Sequence, residues 1–249
     1  MKLSLLKIIF TLLCTVIVFI PAHAEFEKAM EFYEAENYEE AFKKFLPIAE
    51  QGDAKAQYNL GILYYEGLGV PQDHAKAVEW YEKAARQGYV LAQYNLAGAY
   101  EQGEGVPQDY AKAAEWFQKA AEQGYASAQY NLALLYHKGL GVQQDDTKTI
   151  EWYEKAAEQE YADAQYNLGV SYERGLGVSQ DYAKAAEWYR KAAEQGLAPA
   201  QSNLGHLYEQ GLGVSQDYKL AEEWYRKSAD QGDTYAQKAL EELKALTKK

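Results

Sequence analysis

From Asp53 to Gly88 the chain reads DAKAQYNLGILYYEGLGVPQDHAKAVEWYEKAARQG, two apolar stripes separated by a glycine-bearing turn. In the first half Ala56, Leu60, Gly61 and Tyr64 recur at spacings of four, one and three, which line one face of a helix. Gly67 stops that helix. Ala77, Trp80, Tyr81 and Ala84 give a second helix its apolar face, and Asp73 stands where an N-cap carboxylate accepts free backbone N–H groups. The same arrangement returns every 36 residues: Ala-Gln pairs start at Ala56, Ala92, Ala128, Ala164, Ala200 and Ala236, and the tryptophans are Trp80, Trp116, Trp152, Trp188 and Trp224. A fixed period of this length marks a stacked structural unit.

Glycine also punctuates the second helix. Gly52, Gly88, Gly124, Gly196 and Gly232 follow successive second helices at the point where a left-handed residue is easiest for glycine. Glu160 breaks the series, and a glutamate forced into that conformation costs about 1 kcal/mol.

The pattern AQYNLG followed by Tyr64, Gly67, Gly69, Val70, Asp73, Ala77, Trp80, Tyr81 and Ala84 resembles the Sel-one-like repeat (SLR), a relative of the tetratricopeptide repeat (TPR). Five full units run over residues 53–88, 89–124, 125–160, 161–196 and 197–232. Residues 25–52 read as a shorter TPR-like capping hairpin with Ala29, Phe32, Tyr38, Ala41 and Phe45 but no GLGV turn, and residues 233–249 as a closing helix and tail. Ser202 in place of Tyr, Glu104 in place of Leu, and Lys219 with Leu220 are departures that leave the repeat intact. The resemblance implies an all-α fold, a right-handed superhelix of stacked antiparallel hairpins with about 13 helices. One hairpin cannot cover its own apolar stripe, so the core is built from neighbour contacts and the tryptophans are expected to be structural, each burying about 150–250 Å².

Residues 1–24 read as an export signal. Lys2 and Lys7 flank the start, an apolar run covers Ile8 to Ile20, and Ala22, His23 and Ala24 form a small-residue site, with cleavage expected after Ala24. The run falls short of the roughly 18 apolar residues of a membrane span, and no span is expected in the mature chain. Leu13 before Cys14, the sole cysteine, argues against lipidation. The expected location is periplasmic or secreted. Loss of Lys2 and Lys7 makes the chain more acidic than its full-length net charge of −12. That balance opposes nucleic acid and anionic membrane surfaces, which need clustered Lys and Arg.

The recurring glutamates Glu79, Glu115, Glu151, Glu187 and Glu223 each precede a lysine by four residues, an exposed helical pairing worth about 0.2–0.5 kcal/mol rather than an acid–base device. His74, His137 and His206 lie in different repeats at different positions, so no metal is expected. No nucleophile motif, phosphate loop or redox pair is present, and no catalytic residue or cofactor is assigned.

TPR-like arrays present one face of the first helix as a concave groove, and the candidate site follows from that register. Tyr58, Asn59, Ile62 and Tyr65 share this face in the first full unit. Their counterparts are Tyr94, Asn95 and Glu101; Tyr130, Asn131, Leu134 and His137; Tyr166, Asn167 and Glu173; and Asn203, His206 and Glu209. At the Ile62 position the second and fourth units carry Gly98 and Val170. The asparagines either hold an extended peptide backbone through amide donors and acceptors or bond across repeats and set the superhelix. Positions freed from the repeat rule are the specificity candidates, and their carboxylates, tyrosines and apolar patches suit a protein segment with cationic character.

The expected function is an exported binding scaffold, monomeric, for a protein or peptide. The resemblance also implies alternatives: host interaction, signalling adaptors, immunity to a secreted toxin, and the β-lactam or peptidoglycan-fragment binding, or weak β-lactam hydrolysis, of cysteine-rich SLR proteins. The per-repeat cysteine pairs of the last group are absent here.

Overall fold

The computed structural model describes residues 22–247, so the leader expected over residues 1–24 falls almost wholly outside the described residues. Thirteen helices and no strands are present among them. They run α1 (Ala22–Glu34), α2 (Tyr38–Glu50), α3 (Ala54–Glu66), α4 (His74–Arg86), α5 (Val90–Gln102), α6 (Tyr110–Glu122), α7 (Ala126–Lys138), α8 (Asp146–Glu158), α9 (Ala162–Arg174), α10 (Tyr182–Glu194), α11 (Ala198–Gln210), α12 (Tyr218–Ala229) and α13 (Thr234–Thr247). Each packs chiefly on its neighbours in sequence, which makes the chain an all-α solenoid.

The expected punctuation forms. Asp73 accepts from the Lys76 amide at 3.0 Å, and Asp109, Asp145, Asp181 and Asp217 cap α6, α8, α10 and α12 in the same way. Gly67 ends α3 in the left-handed region at φ 71°. Glu160 occupies that region as well, at φ 62°, and so does Glu36 at φ 58°, in the turn between α1 and α2.

Two joints weld successive hairpins. In the first, Gln129 at the start of α7 donates to the Ala121 carbonyl at the end of α6 (3.1 Å) and accepts from Gln159 at the end of α8 (2.8 Å). The buried amide thus adds a second donor to a helix-end carbonyl that already accepts the Gly124 N–H, has its own polar atoms satisfied, and ties three helices together. Gln57, Gln93, Gln165 and Gln201 repeat the arrangement with Gln87, Gln123, Gln195 and Gln231, which explains why glutamine follows alanine in every unit. In the second joint, the turn glycine Gly141 lies against the first turn of α6, so close that a Cβ would meet backbone.

The cores hold alanine, leucine and one ring per second helix: Tyr81, Phe117, Tyr153, Tyr189 and Tyr225 are all buried. The tryptophans are only half-buried, at the seams between hairpins; Trp116, for instance, packs against two successive cores. Their outer faces carry lysines. Lys83, Lys119, Lys155, Lys191 and Lys227 stand 3.6–3.9 Å above the rings of Trp80, Trp116, Trp152, Trp188 and Trp224. Of the five expected glutamate–lysine pairs, only Glu151–Lys155 forms among the described residues, at 2.8 Å. This corrects the expectation: a ring face at i−3 competes with an exposed carboxylate at i−4, and solvent weakens the carboxylate's hold.

Candidate functional site

The candidate residues lie along the first helices α3, α5, α7, α9 and α11, at the edge where these meet the second helices. Tyr58, Tyr94 and Tyr130 are wedged between two rings each. Tyr94 meets Phe117 at 5.6 Å and Tyr125 at 5.0 Å, and Tyr58 and Tyr130 do the same with Tyr81 and Tyr89, and with Tyr153 and Tyr161. Tyr166 packs on Tyr189. Burial raises the pKa values of Tyr58, Tyr94 and Tyr130, so their hydroxyls stay neutral. These rings are part of the stack as well as of its surface.

The asparagines bond across repeats. Asn131 donates to the Tyr94 hydroxyl at 3.4 Å, and Asn167 to those of Tyr130 (3.4 Å) and Tyr153 (3.3 Å). Asn95 faces the hydroxyls of Tyr58 and Tyr81, and Asn203 faces that of Tyr189. Asn59 has no full repeat before it and turns back to the Lys55 carbonyl. Of the two roles open to these amides, the geometry favours setting the stack.

The variable positions differ from repeat to repeat. Tyr65 stacks on His74 with ring centres 4.7 Å apart and donates to Glu104 at 2.6 Å, a bond that, with burial, pushes its pKa up to about 12. His137 is exposed, 3.9 Å from Asp146. Glu173 and Glu209 accept from the buried Tyr189 and Tyr225 hydroxyls at 2.5 and 2.7 Å. His206 lies 3.4 Å from the Tyr235 hydroxyl, and Leu134 packs beside Tyr130 on the core shared by α7, α8 and α9.

One stretch of this face opens into a cavity of about 410 Å³. Tyr58, Ile62, Tyr65, Tyr94, Asn95, Glu101 and Asn131, all candidates from the sequence, line it together with Glu66, Tyr81, Gly98, Glu104 and Phe117. Its charged lining residues are all glutamates. Burial raises the pKa of Glu101, against which the charge of Lys138 acts only in part. Glu104 and Gly98 stand out in the sequence as exceptions to the repeat; Phe117, not among the residues expected from the sequence, is marked there only by being the one phenylalanine at a position held by Tyr81, Tyr153, Tyr189 and Tyr225, and the convergence of the three required the stack. Carboxylates, hydroxyls and ring faces suit a ligand that donates hydrogen bonds and carries positive charge. The described residues contain no group of three His, Cys, Asp or Glu placed to hold a metal, and no helix long and apolar enough to cross a membrane.

Stacked two-helix units joined in this way define a TPR-like α-solenoid. The Sel1 repeat model matches residues 54–89, 90–125, 126–161, 162–197 and 198–233, and the chain belongs to the Sel1 repeat family. It is similar to a Sel1 repeat protein of Oxalobacter formigenes, with 36% identity over 87% of this chain and 86% of that one and a TM-score of 0.78. It is also similar to a protective antigen present in uropathogenic Escherichia coli strains, which displays an SLR fold: 44% identity, a TM-score of 0.78, and coverage of 80% of this chain. This chain spans 43% of the antigen's length.

Proposed function

We propose that this Sel1 repeat protein is an exported scaffold, periplasmic or secreted, that holds a protein or peptide segment in the concave face of its superhelix and performs no chemistry of its own. The observation that carries this reading is the run of non-repeating side chains along the first helices, most of them half-buried, opening into the cavity between α3, α5 and α7. A surface needed only to keep the solenoid soluble has no reason to gather exceptions to the repeat around a cavity. The antigenic role of the 44% identical relative supports exposure outside the cytoplasm, where antibodies reach.

The reading is tested by capture of partners from envelope extract and culture medium with the wild-type chain and a Leu134→Gln/Val170→Gln variant, folding being checked by circular dichroism. Loss of a partner on the folded variant is the expected outcome. Retention of every partner overturns the groove reading.

A further inference from the structure

The second repeat differs from the others in its variable positions. In the fourth and fifth repeats the glutamate at the variable position is satisfied from within, since Tyr189 donates to Glu173 and Tyr225 to Glu209. The second repeat carries the same glutamate, Glu101, but Phe117 stands where the tyrosine would be and offers no hydroxyl. The half-buried Glu101 carboxylate therefore has no side-chain hydrogen bond and no ion pair at contact distance among the described residues; the positive charge of Lys138 acts on it from farther off, and the loss of water outweighs that charge.

Two more departures of the same repeat meet it. Gly98 replaces the side chain that Ile62, Leu134, Val170 and His206 supply elsewhere, and a Cβ built there touches nothing within 4 Å. Glu104 replaces the leucine of the other turns, and Tyr65 orients its carboxylate. Gly98 thus opens space, Phe117 withdraws a donor, and Glu101 and Glu104 supply charge, all on the one cavity of about 410 Å³. That volume is within the range of ligand pockets and leaves room for a side chain with its flanking backbone.

A carboxylate deprived of water and of an internal donor is stabilised by a cation that brings several N–H groups. The walls are aromatic, with Tyr58, Tyr65, Tyr94 and Phe117 among them. A planar guanidinium meets both demands, because it pairs with a carboxylate through two parallel bonds and stacks on rings, and it sheds water more readily than an ammonium. We propose that the second repeat is the receptor for an arginine side chain of the segment that docks in the groove, with Glu101 as its principal partner, Glu104 as a second carboxylate and the tyrosine rings as walls. This rests on the groove reading above and adds to it the chemistry and the address of one anchor.

The test titrates the full chain with N-acetyl-arginine amide, with the isosteric but uncharged N-acetyl-citrulline amide, and with N-acetyl-lysine amide, read by the backbone amide NMR signals of Gly98, Glu101 and Glu104. Arginine is expected to shift these signals saturably and to bind about tenfold tighter than citrulline, with lysine between them. Phe117→Tyr and Gly98→Leu install residues of kinds used at those positions by other repeats, so folding is preserved and thermal melts verify it. Each is expected to weaken arginine binding about tenfold, Phe117→Tyr by giving Glu101 an internal donor without altering any charge. An acetylated, amidated Gly-Gly-Arg-Gly-Gly peptide is expected to bind more tightly than the single blocked residue.

Equal binding of citrulline, lysine binding as tight as arginine, shifts centred outside the cavity, indifference to both substitutions, or a peptide no tighter than the blocked residue would each overturn the proposal. Failure here, with partners still lost on Leu134→Gln/Val170→Gln, leaves the groove reading intact. Retention of all partners by that variant removes the groove reading whatever the arginine titration shows.

Discussion

A Cβ on Gly141 would stand 2.1 Å from the carbonyl carbon of Tyr110, 31 positions earlier in the chain and in the preceding repeat. Glycine is required there twice over, by contact and by a φ of 68°. Gly141→Ala should therefore cost about 2–4 kcal/mol, combining left-handed strain with overpacking against backbone that cannot move aside. Gly139 has a similar φ but meets only Gln144 side-chain and backbone atoms at 3.3 Å or more, so Gly139→Ala should cost nearer about 1 kcal/mol. Urea denaturation of the two variants checks the order; equal losses would show that the joint is not tight.

Glu160 presents the opposite case. It holds φ 62° where Gly88, Gly124, Gly196 and Gly232 hold the equivalent left-handed conformation in the other repeats. Glu160→Gly should raise stability by about 1 kcal/mol, seen as a higher urea midpoint at unchanged slope. An unchanged or lower midpoint contradicts this.

The glutamine joint predicts an asymmetry between its members. Gln129 is buried, and Gln129→Leu removes both of its hydrogen bonds, to the Ala121 carbonyl and from the Gln159 amide, for a loss of about 1–3 kcal/mol. Gln159 is exposed and Gln159→Leu removes only one bond of the buried joint, that to Gln129 Oε1, so the loss should be smaller, about 1 kcal/mol. Equal losses in equilibrium unfolding would mean that the buried amide does not organise the joint.

Alkaline pH should unfold the solenoid. Tyr81, Tyr153, Tyr189 and Tyr225 are buried, and burial first of all lifts their pKa values above the ordinary 10.0. The folded state therefore keeps protons that the unfolded state releases. The contribution is complete below about pH 10 and is lost as pH rises through the folded-state values, with a limiting slope of about 5 kcal/mol per pH unit for the four groups. Unfolding free energies measured across this range, alongside tyrosinate absorbance, test it; tyrosines that ionise at their ordinary pKa in a protein still folded would contradict it.

The helices, their aspartate caps and their glycine stops were legible in the sequence because each depends on residues a few positions apart. Lys83 was harder to place, since Glu79 and Trp80 both lie within its helical reach and the choice depends on which partner keeps its contact in water. Gln57 announced its importance by repetition, yet its partners Ala49 and Gln87 are 8 and 30 residues away and meet it only once hairpins stack. The variable face was legible as a set of exceptions. That Glu101 is left without a donor depends on Phe117 in the facing helix, a relation across the hairpin that no local pattern contains.

The glutamine and glycine joints have a consequence for the growth of the molecule. Each junction presents to the next unit the same chemistry that it received from the last, so whole hairpins can be duplicated or deleted without inventing a new contact, and array length becomes a free variable for evolution. A surface made in this way is a ruler without a zero mark. The cavity at the second repeat supplies one, and a bound segment that finds it has its direction and register fixed along every other unit.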